Sequence, residues 1–174
     1  MKYKKLLLST LVSLFIFTSN SFTAGTSSED KVSKYEKLYN KGALLIKQGK
    51  KLEKKDKIEK AKKKYLRAIK YLEQSNQIEP GKPNTLNYLG FALRKTGNFE
   101  DAEKFYLEGL KIDPEHVGIN EYLGELYIST NRLDKAKERL KVLETCNCEE
   151  YSELKNLINN LMKLMNFYTI LYTT

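Results

Sequence analysis

Apolar side chains recur every three or four residues along most of the chain beyond residue 30, with lysines and glutamates between them. This spacing predicts a succession of amphipathic helices. The clearest single face is formed by Ile58, Ala61, Tyr65, Ala68 and Leu72. Prolines interrupt the pattern within residues 79–83 and at Pro114, and proline stops a helix. The pattern therefore predicts an all-α chain of helices separated by short breaks.

Two stretches of the sequence repeat at an offset of 34 residues. Residues 87–93, Asn-Tyr-Leu-Gly-Phe-Ala-Leu, correspond to residues 121–127, Glu-Tyr-Leu-Gly-Glu-Leu-Tyr. Small residues hold equivalent positions in both copies, namely Gly90 with Gly124 and Ala102 with Ala136. We expect them to leave room where the first helix of each repeat crosses the second. One such pair cannot bury its apolar side alone, so neighbouring pairs must stack.

The period and these positions resemble the tetratricopeptide repeat (TPR) family. The resemblance is nearly complete in residues 83–116 and weaker further on, where Asn131 replaces the turn glycine and Cys148 replaces a proline. Asparagine tolerates the left-handed conformation that such a turn needs. The resemblance implies an α-α superhelix of TPR helix-turn-helix repeats with a C-terminal capping helix. The overall arrangement is similar to that of small secreted bacterial TPR proteins.

We expect one TPR domain over residues 31–166. It comprises a divergent long helical hairpin (31–82), two repeats (83–116 and 117–148) and a capping helix (149–166), with an apolar tail at 167–174. In the hairpin, the first helix is expected to reach residue 50, followed by a turn about seven residues longer than that of the family.

The first 25 residues have the layout of a secretory signal peptide. Three lysines precede an apolar stretch of about twelve residues, and small polar residues follow it. That stretch is shorter than the roughly twenty residues of a membrane-spanning helix. We therefore expect cleavage near residue 25 and a mature protein that is periplasmic or secreted. An uncleaved membrane anchor is the alternative.

Charge is distributed unevenly along the chain. Residues 31–82 hold 17 Lys or Arg against 6 Asp or Glu, whereas residues 83–174 hold 11 against 14. The basic half is either a solvated helix face or a contact for an anionic partner or membrane surface. Lysines without interleaved arginines and stacking aromatic residues are not typical of nucleic-acid binding, so no nucleic-acid partner is expected.

The sequence gives little support for catalysis, and we expect no enzyme activity and no cofactor. The single histidine, His116, lies in a predicted turn, and no phosphate-binding loop or nucleophile elbow is present. Cys146 and Cys148 are the only cysteines. They form either a disulfide that fixes the turn into the capping helix or a redox-active or metal-capturing pair. Two thiols alone lack the ligands of a metal site, so no metal is predicted.

The resemblance also implies where a partner binds, because the first helix of each TPR repeat lines a groove. The side chains at these positions are Asn84, Asn87, Phe91, Arg94, Lys95, Glu121 and Glu125. They do not match the Lys and Asn carboxylate clamp of chaperone-tail binders in the family. We expect an extended peptide or helix as the ligand, with Phe91 as an apolar anchor and the basic residues facing acidic groups. A groove that is only solvated, or filled by the N-terminal segment of the chain, is the alternative.

These features together favour an exported protein–protein interaction module, a scaffold or adaptor for an envelope protein. A thiol redox protein acting through the two cysteines is one alternative function. A peripheral membrane protein held to anionic lipid by residues 47–64 is another.

Overall fold

The computed structural model describes residues 28–173, with side chains described for residues 28–168. The predicted signal peptide therefore lies outside the described residues. Within them the chain forms seven α-helices and no β-strand: α1 Ser28–Glu53, α2 Ile58–Ile78, α3 Pro83–Thr96, α4 Phe99–Ile112, α5 Val117–Ser129, α6 Leu133–Val142 and α7 Glu149–Thr173. One 3₁₀ turn, Leu143–Thr145, leads from α6 towards α7.

The helices form three stacked pairs followed by a single helix. α1 packs against α2, α3 against α4 and α5 against α6, and α7 covers α5 and α6. Contacts of α2 with α3 and of α4 with α5 join successive pairs. The predicted all-α superhelix of TPR-like helix pairs is confirmed.

Small residues allow the close helix crossings. A Cβ atom added at Gly90 would lie 2.5 Å from Cε1 of Tyr106, a fully buried side chain of α4. This contact is the one predicted within the first clear repeat. Gly124 differs, because its neighbour is Leu154 of α7 rather than a residue of α6. The small residue at position 124 therefore makes room for the capping helix, and not for α6 as predicted.

The turns inside the two repeats have the same backbone geometry. Gly97 has φ 93° and Asn131 has φ 57°, both left-handed. In each turn the following amide donates back into the first helix, from Asn98 to the Leu93 carbonyl at 2.9 Å and from Arg132 to the Tyr127 carbonyl at 2.8 Å. Asn131 thus takes the conformation of the glycine it replaces, as expected for an asparagine.

The basic hairpin is longer than a standard repeat because its helices are longer. α1 continues to Glu53, so residues 54–57 alone connect it to α2, and the predicted seven-residue extension of the turn is wrong. Two glycines let the long helices approach each other: Gly42 lies against Leu72, and Gly49 lies against the Tyr65 ring. The lysine-rich residues 50–53 have good helix propensity and simply continue the helix.

α7 also extends beyond residue 166, where the capping helix was expected to end. It continues through residues 167–173, which were expected to form a separate tail. The first part of α7 is anchored by Leu154 and Ile158, both buried against α5 and α6. Nothing in residues 28–173 forms a helix that is both long and apolar enough to span a membrane.

Candidate functional site

A cleft of about 200 Å³ lies where α1, α3, α5 and α7 meet. The first helices of the three pairs provide most of its lining, which is the geometry expected for a TPR groove. Its lining residues are Lys50, Glu53, Lys54, Phe91, Arg94, Lys95, Glu121, Tyr122, Glu125 and Glu153. Five of the seven predicted groove residues are therefore brought together here.

Phe91 forms the floor of the cleft. Its side chain is only 2% exposed and contacts the rings of Tyr65 and Tyr122, with centroids 5.6 and 4.8 Å away. The ammonium group of Lys50 lies 5.4 Å from the Phe91 centroid and donates a hydrogen bond of 3.0 Å to the Tyr122 hydroxyl. An accessible apolar anchor at Phe91 was expected, and this expectation is wrong because Lys50 of α1 and Tyr122 cover the ring.

Arg94 is held by an internal ion pair. Its guanidinium lies 2.6 Å from a carboxylate oxygen of Glu125, and the arginine is only 9% exposed. Burial opposes the charged form, but Glu125 outweighs this effect and raises the pKa of Arg94. Arg94 is therefore not free to pair with an acidic ligand, contrary to the expectation for this position.

A second ion pair closes the cleft on the side of α1. The ammonium group of Lys95 lies 3.0 Å from a carboxylate oxygen of Glu53. Both side chains are about one quarter exposed. The pair is thus partly buried at the rim and still reachable from the cleft.

Glu121 is the most unusual group of the cleft, because it is buried and makes no ion pair with any basic side chain that the structure describes. The residue is 3% exposed. Burial, a hydrogen bond with the carboxyl group of Glu153 and the charge of Glu125 raise the pKa of Glu121 to about 9, against a smaller opposing effect of Lys50. Glu121 is therefore a neutral acid at pH 7.

The same surroundings keep Lys50 charged, although they keep Glu121 neutral. Partial burial disfavours its charge, but the hydrogen bond to Tyr122 and the nearby carboxyl groups of Glu121 and Glu153 outweigh that cost and raise its pKa. Burial also raises the pKa of the Tyr122 hydroxyl, which remains protonated. The cleft thus holds a charged lysine beside a neutral glutamic acid.

The two predicted asparagines lie outside the cleft. The Asn84 side chain contacts Nε2 of His116 at 3.0 Å. His116 caps α5, since its Nδ1 accepts the Ile119 amide at 3.2 Å. Burial lowers the pKa of His116, in keeping with a neutral ring in this structural role. Asn87 is buried beside Gly118.

Sequence reasoning missed half of the lining residues. Lys50, Glu53 and Lys54 were missed because the divergent hairpin offers no alignment with the motif positions of the other repeats. Glu153 was missed because α7 was interpreted as a cap alone. Tyr122 follows Glu121 directly, and its position one residue beyond a groove position was the signal available.

The two cysteines are joined as a disulfide, with Asn147 between them in a left-handed conformation. The bridge lies at the turn from the 3₁₀ segment into α7. Among the residues whose side chains are described, no group of three His, Cys, Asp or Glu could hold a metal ion.

Comparison with known proteins relates the chain to tetratricopeptide proteins. Residues 83–116 match the tetratricopeptide repeat family. A comparison with curated protein sequences found no match.

Several solved structures have a similar fold. The type III secretion chaperone SycD of Yersinia enterocolitica, in complex with a peptide of the translocator YopD, has a TM-score of 0.59 and 16% identity, over 79% of this chain and 95% of that one. The first TPR domain of human RPAP3 has a TM-score of 0.51 and 20% identity, over 74% and 98%. The OM64 TPR domain of Arabidopsis has a TM-score of 0.50 and 13% identity, over 71% and 98%.

At these identities the similarity concerns the fold alone. The stacked helix pairs therefore have a tetratricopeptide-repeat-like fold, and residues 83–116 carry one tetratricopeptide repeat.

Proposed function

We propose that the protein is an exported, non-catalytic interaction module that binds a peptide segment of an envelope protein in the cleft between α1, α3, α5 and α7. The observation that carries this proposal is the convergence of the first helices of all three pairs, with α7, on one cleft. A cleft between helices, floored by aromatic rings and bordered by a few charged groups, is a typical peptide-binding surface.

The charges at the rim support binding of a peptide rather than of a small apolar molecule. Lys54 is exposed, and Lys95 and Glu53 are partly exposed at the rim, so all three side chains can meet polar groups of a ligand. The SycD structure adds support from a related fold, because that protein was solved with a bound peptide. Fold similarity does not itself supply a partner.

Export is proposed from the sequence of residues 1–25, with its basic start, short apolar stretch and small polar residues. The Cys146–Cys148 disulfide is compatible with an oxidising compartment. Mass spectrometry of the protein recovered from a periplasmic fraction tests this part directly. A chain that retains residues 1–25 would contradict it.

The binding site can be tested by site-specific photocrosslinking. Dodecamer peptides are first selected from a random library on the purified protein. The photoreactive residue p-benzoylphenylalanine is then placed at position 54, at the rim of the cleft, or at position 60, on α2. Lys54 and Lys60 are both exposed lysines of the same hairpin, and only Lys54 lines the cleft, so position 60 is a matched control.

The proposal expects selected peptides to crosslink from position 54 and not from position 60. The natural partner, captured from an envelope extract at position 54, should be displaced by an excess of the same peptides. Crosslinking from position 60 alone would place the binding surface on the outer face of the basic hairpin. The cleft would then have no role in binding.

A further inference from the structure

Not all charged groups of the cleft have a partner of opposite charge among the residues whose side chains are described. Arg94 pairs with Glu125, and Lys95 pairs with Glu53. Glu121 and Glu153 make no ion pair within 4.0 Å among the residues whose side chains are described. Two carboxyl groups from different helices, α5 and α7, thus face each other in the cleft without a cation between them.

Lys50 is the nearest candidate for that cation, but it is held elsewhere. Its ammonium group donates a hydrogen bond to the Tyr122 hydroxyl. It also lies over the rings of Phe91 and Tyr122, at 5.4 and 5.3 Å from their centroids. It interacts with Glu121 and Glu153 only over a longer range. Among the described side chains the two carboxyl groups are hydrogen-bonded only to each other, and a basic group from outside can replace that bond.

We infer that Glu121 and Glu153 form a subsite for a basic side chain, arginine or lysine, of the peptide bound in the cleft. The inference rests on the proposed function and specifies the chemistry of its ligand. It also assigns a binding role to Glu153, a residue of the capping helix that the repeat motif does not include.

The energetics of Glu121 favour this ligand over others. The carboxyl group of a residue that is only 3% exposed cannot ionise cheaply without a cation, and its raised pKa reflects that cost. A guanidinium or ammonium group between the two acids would allow both to ionise and would form charge-assisted hydrogen bonds. A metal ion is a poorer occupant, since no group of three metal-ligating side chains is arranged for one in the described residues.

The aromatic wall suits the rest of such a side chain. Tyr122 is half-buried beside Glu121 and presents its ring to the cleft, where Arg94 already lies 5.8 Å from its centroid. Stems of arginine and lysine side chains pack well along apolar surfaces while the charged group reaches a polar partner. The Tyr122 ring therefore holds the stem, and the two acids hold the charge.

The experiment uses the library-selected dodecamers and compares charged with uncharged side chains of the same shape. Each arginine of a peptide is replaced in turn by citrulline, and each lysine by norleucine. Affinities are measured by fluorescence anisotropy for the parent protein, Glu121→Gln, Glu153→Gln and the control Glu149→Gln. The change Glu121→Gln keeps the shape of the neutral acid already present, and Glu153 and Glu149 are exposed, so these variants should fold.

One replacement in each peptide should weaken binding at least tenfold for the parent and for Glu149→Gln. The same replacement should weaken binding less than twofold for Glu121→Gln and Glu153→Gln. The inference is overturned if peptides that crosslink from position 54 need no basic residue, or if the loss is the same for all four proteins. In that case peptide binding in the cleft still stands. If no peptide crosslinks from position 54, both the proposed function and the subsite for a basic side chain are contradicted.

Discussion

The protonation of the Glu121 carboxyl group is set by its neighbours. Three elements face it: α1 with Lys50, its own helix α5 with Glu125, and α7 with Glu153. Only Lys50 favours its ionised form, and burial together with the two acids outweighs that effect. An acid whose pKa is raised by folding opposes folding at high pH, since the unfolded chain releases the proton first.

We therefore expect stability to fall as the pH rises between the unfolded and folded pKa values of Glu121, which are about 4.5 and about 9. Below pH 4.5 this group is neutral in both states and has no effect. Glu121→Gln should abolish this part of the pH dependence and stabilise the protein by more than about 1 kcal/mol at pH 8. Urea unfolding at pH 5 and pH 8 measures the difference. An equal gain in Glu149→Gln would show that general charge repulsion, and not the burial of Glu121, is responsible.

The repeat motif predicts which helices pack together. It does not predict which side chains of the cleft are exposed. The motif correctly predicts that Gly90 makes room for the second helix of its repeat, but Gly124 at the equivalent position lies against Leu154 of α7 instead. Phe91 was assigned to an exposed surface because the motif defines which way a first helix faces, but not what the preceding pair places over it. Lys50 belongs to a part of the chain without a recognisable motif, so its contact with Tyr122 could not be predicted.

The effect of Gly90→Ala on stability should depend on the neighbouring Tyr106 ring. Gly90→Ala should destabilise the protein by about 1–2 kcal/mol, because overpacking against the buried Tyr106 ring exceeds the gain in helix propensity. In a Tyr106→Leu background the ring is absent, and the same change should be neutral or stabilising. Chemical denaturation of the four proteins gives both values. A cost of Gly90→Ala that is the same in both backgrounds would show that the ring does not fix the crossing.

At the scale of elements, local sequence determined where helices begin and end only when it contained a strong signal. Pro83 begins α3 and Gly97 ends it, and both positions are evident from the sequence. The end of α1 lacks such a signal, since residues 50–55 are lysines, a leucine and a glutamate that a helix or a turn accepts. This end of α1 bears on the proposed function, because Lys50 and Glu53 both line the cleft.

Across the whole molecule, one continuous core links the basic hairpin to the capping helix. Two groups of buried side chains can be distinguished in the described part of the chain, one from α1 to α3 and one from α3 to α7. Ile69, Phe105 and Tyr122 contact both groups. Tyr122 thus connects the core with the cleft, and the stacking expected of repeat arrays, in which each pair contacts its neighbours, accounts for the predictable part of the fold.

This core extends along only the first part of α7. Leu154 and Ile158 are buried, whereas no described side chain from residue 159 to residue 168 is. Leu154→Ala should therefore cost about 2–5 kcal/mol, as expected for a leucine removed from a packed interior. The double change Leu164→Ala with Phe167→Ala affects two large apolar side chains, both more than half exposed, and should cost less than about 1 kcal/mol.

Thermal and urea unfolding of both variants, followed by circular dichroism, compares the two positions on the same helix. If the double change costs as much as Leu154→Ala, the end of α7 contributes to the folded core. The boundary of the repeat domain would then lie beyond Ile158. If it does not, α7 stabilises the domain through its first part, up to Ile158, which also places Glu153 at the cleft.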